Sequence, residues 1–148
     1  MAEKKDYIVI DAEGTVLGRL GTATAKMLLN GNKVAVINSE KAVITGNWKN
    51  TLDRYKTRRG LQEKENPEHS PKWPRRPDFL VKRIVRGMLP YRKSTGKEAY
   101  KRLRVFVGIP EEFKNAKPID IKIKGVKEVY SKYTSVKEIS GRLGYKNA

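Results

Sequence analysis

Residues 7–37 read YIVIDAEGTVLGRLGTATAKMLLNGNKVAVI, and their hydrophobic rhythm sets the fold class. Tyr7-Ile8-Val9-Ile10 is a short apolar run followed by Asp11 and Gly14, the pattern of a buried strand that ends in a turn. Leu17, Leu20, Met27 and Leu28 then recur at helical spacing. Gly31 lies just past them, where a left-handed cap favours glycine, so this helix is predicted to end near Asn30. Val34-Ala35-Val36-Ile37 reads as a second buried strand. Strand, helix and strand within about 30 residues predict a βαβ unit with parallel strands and a right-handed crossover.

Working outward, a second helix is expected over 46–59, with Trp48, Leu52 and Tyr55 as its core stripe and a basic far end. Residues 60–77 hold Pro67, Pro71, Pro74 and Pro77 with little periodicity, which predicts a long irregular loop. Asp78 is the expected N-cap of a helix over 79–89. On that helix Leu80, Val81, Ile84, Val85 and Met88 share one side, while Lys82, Arg83 and Arg86 share the other. Thr95 and Glu98 have capping-box spacing for a short helix that turns Tyr100 and Leu103 inward and Lys97, Lys101 and Arg104 outward. Val105-Phe106-Val107 reads as a third central strand and residues 119–123 as a half-exposed one. Val136, Ile139 and Leu143 anchor a last helix capped by Thr134. The whole chain, 1–148, fits a single domain.

Composition narrows the function classes. There is no cysteine, which excludes disulfides, thiolate metal sites and cysteine nucleophiles. No run is apolar for long enough to span a membrane and the first residues lack an apolar signal region, so a cytoplasmic protein is expected. The 33 Lys and Arg face 16 Asp and Glu, for a net charge of +17, and mean hydropathy is −0.68. A field of that size favours a polyanionic partner. The excess is concentrated, because residues 54–104 hold 17 basic and 5 acidic groups while residues 1–53 hold 7 and 6.

Within that segment Arg54, Lys56, Arg58, Arg59, Lys72, Arg75, Arg76, Lys82, Arg83, Arg86, Arg92, Lys93, Lys97, Lys101, Arg102 and Arg104 lie on successive elements. Many cations acting together release condensed counterions from a phosphate backbone, and arginine adds a planar fork that binds phosphate and stacks on bases. Trp73 fits two readings, stacking on an exposed base or packing the loop onto the domain, and both stand open. No helix-turn-helix, zinc-finger or zipper spacing is visible, and a proline-broken basic loop between basic helices suits irregular RNA better than a regular DNA groove.

The remaining motifs are weaker. Gly14, Gly18 and Gly21 follow a strand, with Glu40 further on, but the spacing G-x-x-x-G-x-x-G misses the dinucleotide fingerprint. A nucleotide-binding enzyme on an α/β core is therefore the alternative reading, and glycines that allow a turn and close helix packing are the plainer one. Thr95-Gly96-Lys97-Glu98 lacks the rest of a phosphate loop, and Gly141-Arg142-Leu143-Gly144 stands too near the end of the chain for a KH domain. His69 has no second ligand beside it, and Glu111 and Glu112 read as a cap after Pro110. No catalytic residue, metal, cofactor or small-molecule substrate is expected, and no membrane.

The chain resembles the universal large-subunit ribosomal protein L-thirteen family in its archaeal and eukaryotic branch. The likeness rests on Ile10-Asp11-Ala12, Leu17-Gly18-Arg19-Leu20, Val36-Ile37-Asn38, Arg86-Gly87-Met88-Leu89-Pro90, Gly96-Lys97 and Val107-Gly108-Ile109-Pro110, and covers nearly the whole chain. It implies a three-layer α/β/α domain with a four-stranded parallel sheet in the order 3-2-1-4, extended by the basic loop and helices. It also implies a structural role on large-subunit ribosomal RNA beside neighbouring ribosomal proteins, without enzymatic activity. The region of Arg83, Arg86 and Gly87, and the cations around Gly96 and Lys97, would face RNA. Residues 58–77 depart from the histidine- and glycine-rich stretch of bacterial members.

Overall fold

The computed structural model describes residues 7–119 and 132–146. β1 (Tyr7–Asp11), α1 (Leu17–Leu29) and β2 (Lys33–Ile37) form the expected βαβ unit, with β1 and β2 paired in parallel from Tyr7↔Lys33 to Asp11↔Ile37. Gly31 stands at φ +92° directly after the Asn30 cap, so the backbone turns where only glycine does so freely. β3 (Val43–Thr45), α2 (Trp48–Gly60), α3 (Pro77–Met88), α4 (Ser94–Lys101), β4 (Leu103–Val105), β5 (Tyr133–Ser135) and α5 (Val136–Arg142) follow.

The sheet departs from the expected four strands in the order 3-2-1-4. Among the described residues it has three parallel strands in the order β1-β2-β4, with β2 in the middle. Residues 120–123 of the expected fourth strand lie outside the described residues, while the Ile119 amide donates to the Val9 carbonyl at 2.8 Å. β3 and β5 make a separate antiparallel pair that the sequence pattern did not suggest, because three-residue strands are too short to show an alternation. The third strand starts two residues earlier than expected: Leu103, fully buried, pairs with Val34, whereas Val107 is exposed.

The layering differs too. Ile10, Val34, Val36 and Leu103 face one core together with residues of α1, α2, α3, α4 and α5. The other face, carried by Val9, Ala35 and Ile37, is covered by Phe113, Phe106 and Ala116 around the turn Glu111–Phe113. Among the described residues every α-helix therefore packs on one side of the sheet, which is not a three-layer α/β/α arrangement. Two close approaches fix the helices. A Cβ on Gly21 of α1 would lie 2.8 Å from Met88 Sδ of α3, and one on Gly96 of α4 would lie 2.1 Å from the Pro90 carbonyl oxygen.

Helix ends correct several expectations. Asp78 is not the cap of α3: Pro77 begins that helix, and the buried Asp78 carboxylate accepts from Arg76 Nε at 3.2 Å and Nη2 at 2.9 Å. Thr95 and Glu98 form no capping box, because α4 begins at Ser94 after Lys93 without a side-chain cap. Thr134 belongs to β5, and Ser135 caps α5 by accepting from the Glu138 amide at 3.2 Å. Trp48 stands at the start of α2 outside the core, where only Leu52 and Tyr55 are buried.

Candidate nucleic-acid interface

The cations of residues 54–104 fall into groups that their side-chain contacts separate. Five of them sit over aromatic rings: Arg76 lies 4.9 Å from the Phe79 centroid, and the other four form one group. Arg58, near the end of α2, lies 4.8 Å from the Trp73 centroid and 5.9 Å from that of Tyr55. Arg83 lies 4.4 Å from the same indole, Arg86 lies 4.9 Å from Tyr91, and Lys82 lies 5.1 Å from Tyr100. The rings brace one another edge to face, Tyr55 with Trp73 at 6.0 Å and Tyr91 with Tyr100 at 5.4 Å. Each such cation gains about 0.5–1 kcal/mol and loses rotamer freedom before a ligand arrives.

This group is electrostatically frustrated. Burial, then the neighbouring Arg86 and Arg58 charges, hold the Arg83 guanidinium below its usual proton affinity. Arginine stays charged even so. Burial likewise raises the Tyr55 and Tyr100 phenols, which therefore stay neutral and supply no counter-charge at neutral pH. Among the described residues none of Arg58, Lys82, Arg83 and Arg86 has a carboxylate at ion-pairing distance. A concentration of like charge without an internal counterion is what an incoming phosphate relieves.

A second group holds the fold. Arg59 Nη1 donates to the Leu143 carbonyl at 3.1 Å and so closes the end of α5, and Arg102 Nη2 donates to the Leu28 carbonyl at 3.0 Å at the end of α1. Arg76 is bound to Asp78, and Arg75 lies against the Gly144 turn, where an added Cβ would stand 3.5 Å from its Nη1. These arginines satisfy helix-end carbonyls and a buried carboxylate. Arg104 stands apart as well: it is on β4, in register with Ala35, and alternation sends its side chain to the face away from the helices.

The rest form the rim. Arg54 and Lys56 are exposed on α2, Arg92 and Lys93 on the turn between α3 and α4, and Lys97 and Lys101 on α4, with Lys72 exposed before Trp73. Gly87, on α3 beside Arg86, is exposed and has open space where a side chain would stand. Trp73 itself is packed against the main core with two guanidiniums over its ring, an arrangement that favours its role of pinning the loop. The loop is not uniformly basic. Residues 61–69 are all exposed and carry Glu63, Glu65 and Glu68 against Lys64, so the cationic surface breaks there.

Sequence reasoning missed the rings. Tyr55 and Tyr100 look like core residues from spacing, and Tyr91 follows a proline outside any periodic run. The available signal was that Tyr91 lies five residues past Arg86, across the sharp turn that Gly96 lets α4 close upon.

The crevice outside the carboxyl ends of the strands, where α/β sheets hold nucleotides, is filled from within. Asn38, at φ +53°, donates from Nδ2 to Asp11 Oδ1 at 3.0 Å and from its amide to the Gly108 carbonyl at 3.0 Å. Glu40 accepts from the Gly108 amide at 3.0 Å, and Lys41 pairs with Glu13 at 3.0 Å. The Gly14 amide donates to the Lys41 carbonyl at 3.3 Å and the Thr15 amide to the Ala12 carbonyl at 3.1 Å, so these two amides of the turn are already taken. Gly14 serves the turn at φ +64°, and Gly21 serves the α1–α3 crossing. His69 lies exposed on the turn Pro67–His69, and among the described residues no three His, Cys, Asp or Glu side chains converge to hold a metal. No helix among them is long and apolar enough to cross a membrane.

Comparison with known proteins gives concordant matches. The family model described as "Ribosomal protein L13" matches residues 5–112. A protein of Archaeoglobus fulgidus named "Large ribosomal subunit protein uL13" is 45% identical over 95% of this chain and 90% of its own length. Proteins of the same name from Methanococcoides burtonii and Methanopyrus kandleri are each 42% identical, over 93% and 97% of this chain and 98% and 90% of their own lengths.

Proposed function

Because the chain belongs to the ribosomal protein L13 family, we propose that it is a structural constituent of the large ribosomal subunit, holding ribosomal RNA on the outer face of α3 and α4. It is a structural protein and not an enzyme, in keeping with the names its relatives carry. The observation that carries the RNA-binding reading is the set Arg58, Lys82, Arg83 and Arg86, supported on rings and without a carboxylate partner among the described residues. Their guanidinium and ammonium donors neutralise phosphates from more than one RNA segment and so tie the segments together. Arg54, Lys56, Lys72, Arg92, Lys93, Lys97 and Lys101 widen the field around them. Gly87 costs its helix about 1 kcal/mol against alanine and fills no packing need, which fits a place where an RNA backbone comes close to the helix. Arg59, Arg75, Arg76 and Arg102 contribute by fixing the helices that present the others.

The chain acts in this reading as one domain, 1–148, with its RNA-binding segment at 54–104, in the cytoplasm as part of the subunit and against neighbouring ribosomal proteins. Fractionation of a cell extract on a sucrose gradient tests it. The chain is expected to travel with large subunits and to leave them as salt is raised. Recovery only as free protein at low salt contradicts the proposal.

A further inference from the structure

Trp48 opens α2 yet stays out of the core: the residue is 38% exposed, while Leu52 and Tyr55 on the same helix are buried. An exposed indole at a helix start does little for stability, so its surroundings carry the argument. The Arg142 guanidinium from α5 lies over it at 4.1 Å from the centroid, closer than any other cation lies to a ring among the described residues. Glu138 holds that guanidinium through Arg142 Nη2 at 3.3 Å, and Lys49 Nζ approaches the same ring at 5.7 Å. Beside them the β3–β5 pair places Tyr133, 54% exposed, opposite Thr45, three residues before Trp48, and the Gly46 amide donates to the Lys132 carbonyl at 2.6 Å.

This corner is continuous with the RNA face. α2 carries Lys49, Arg54, Lys56, Arg58 and Arg59 against the single acid Asp53, so cationic surface runs from the Trp73 cluster to Trp48. Phosphate neutralisation alone needs no aromatic ring, whereas a guanidinium over a part-exposed indole is the surface on which an unpaired base stacks, and β5 adds the exposed Tyr133 on the strand pair whose β3 leads into α2. We propose that the Trp48–Arg142 stack, together with Tyr133 on the neighbouring strand pair, is a second RNA contact that receives an unstacked base from a single-stranded segment. The proposal rests on the RNA-binding reading above and extends it from the phosphate backbone to a base, outside residues 54–104.

The chain has two tryptophans, so a Trp73→Phe background leaves Trp48 as the only indole. In the full chain with that change, indole fluorescence is followed during titration with oligoadenylate and, separately, with inorganic polyphosphate, while binding is measured independently by filter retention. Oligoadenylate is expected to quench the emission and polyphosphate to bind without quenching. Trp48→Leu is expected to weaken oligoadenylate about tenfold, the factor of about 1.4 kcal/mol that one lost base stack represents, and to leave polyphosphate affinity unchanged. Oligoadenylate that is retained without quenching Trp48, or quenching by both polyanions alike, overturns the base contact while leaving the RNA-binding reading intact. Failure to retain either polyanion overturns both. Should Trp48→Leu lower the thermal midpoint, Tyr133→Leu provides the same affinity comparison with the Trp48–Arg142 pair untouched.

Discussion

The crevice at the carboxyl ends of β1, β2 and β4 and the outer face of α3 and α4 are both polar, and they differ in where their charges are used. In the crevice, Asp11, Glu13, Asn38, Glu40 and Lys41 bind one another or the nearby backbone. On the helix face, Lys82, Arg83 and Arg86 rest on aromatic rings and have no carboxylate partner among the described residues. A sheet of this class usually places its ligand in the crevice. Here the polar side chains are taken up by internal hydrogen bonds, while Lys82, Arg83 and Arg86 have no carboxylate partner among the described residues, so in the proposed reading the βαβ core is a platform and not a pocket.

The sharpest way to break the comparison is to disturb the helix face without touching the crevice. Gly96→Ala forces a methyl against the Pro90 carbonyl, so α4 must shift away from the turn that carries Tyr91. A loss of about 3 kcal/mol is expected, at the upper end of overpacking costs, together with weaker RNA binding. An unchanged urea midpoint would show that α4 is not held as described.

Arg102→Ala separates structural arginines from those proposed to face RNA. Removing the donor to the Leu28 carbonyl should cost about 1–2 kcal/mol in urea unfolding, yet leave RNA affinity close to wild type. A fall in affinity as large as that of Arg83→Ala would erase the distinction. Glu40→Gln probes the crevice: its bond to the Gly108 amide becomes neutral, with an expected cost of about 1 kcal/mol in thermal unfolding. RNA binding should not weaken, and a marked loss would place RNA in the crevice after all. The smallest effect is expected at Gly18, exposed in α1 with open space around it, where Ala should stabilise by about 0.5–1 kcal/mol. Destabilisation in calorimetry would reveal a packing role that the geometry lacks.

Much of the platform could be read from the chain because its signals are local. The apolar run at Tyr7–Ile10, the helical spacing from Leu17 to Leu28 and the Gly31 cap lie within a few residues of what they specify. The concentration of charge in 54–104 was equally visible, since counting needs no structure. What stayed hidden depends on partners distant in sequence. Arg59 meets Leu143, Arg102 meets Leu28 and Arg142 meets Trp48, and nothing in local periodicity distinguishes such an arginine from one that faces solvent. The β3–β5 pair joins short segments that lie far apart in the chain. The one-sided helix packing also follows from long-range contacts, because alternating strand residues are apolar on both faces and cannot say which face the helices choose.

The salt dependence of RNA affinity tests the central claim most directly, comparing the wild-type chain with one in which Arg83, Arg86 and Lys97 are all changed to Ala. Losing three phosphate contacts should flatten the slope of log affinity against log salt by about 2–3, with little change in the thermal midpoint. An unchanged slope in the folded triple variant would contradict the account, because the RNA would then be held by some other surface of the molecule.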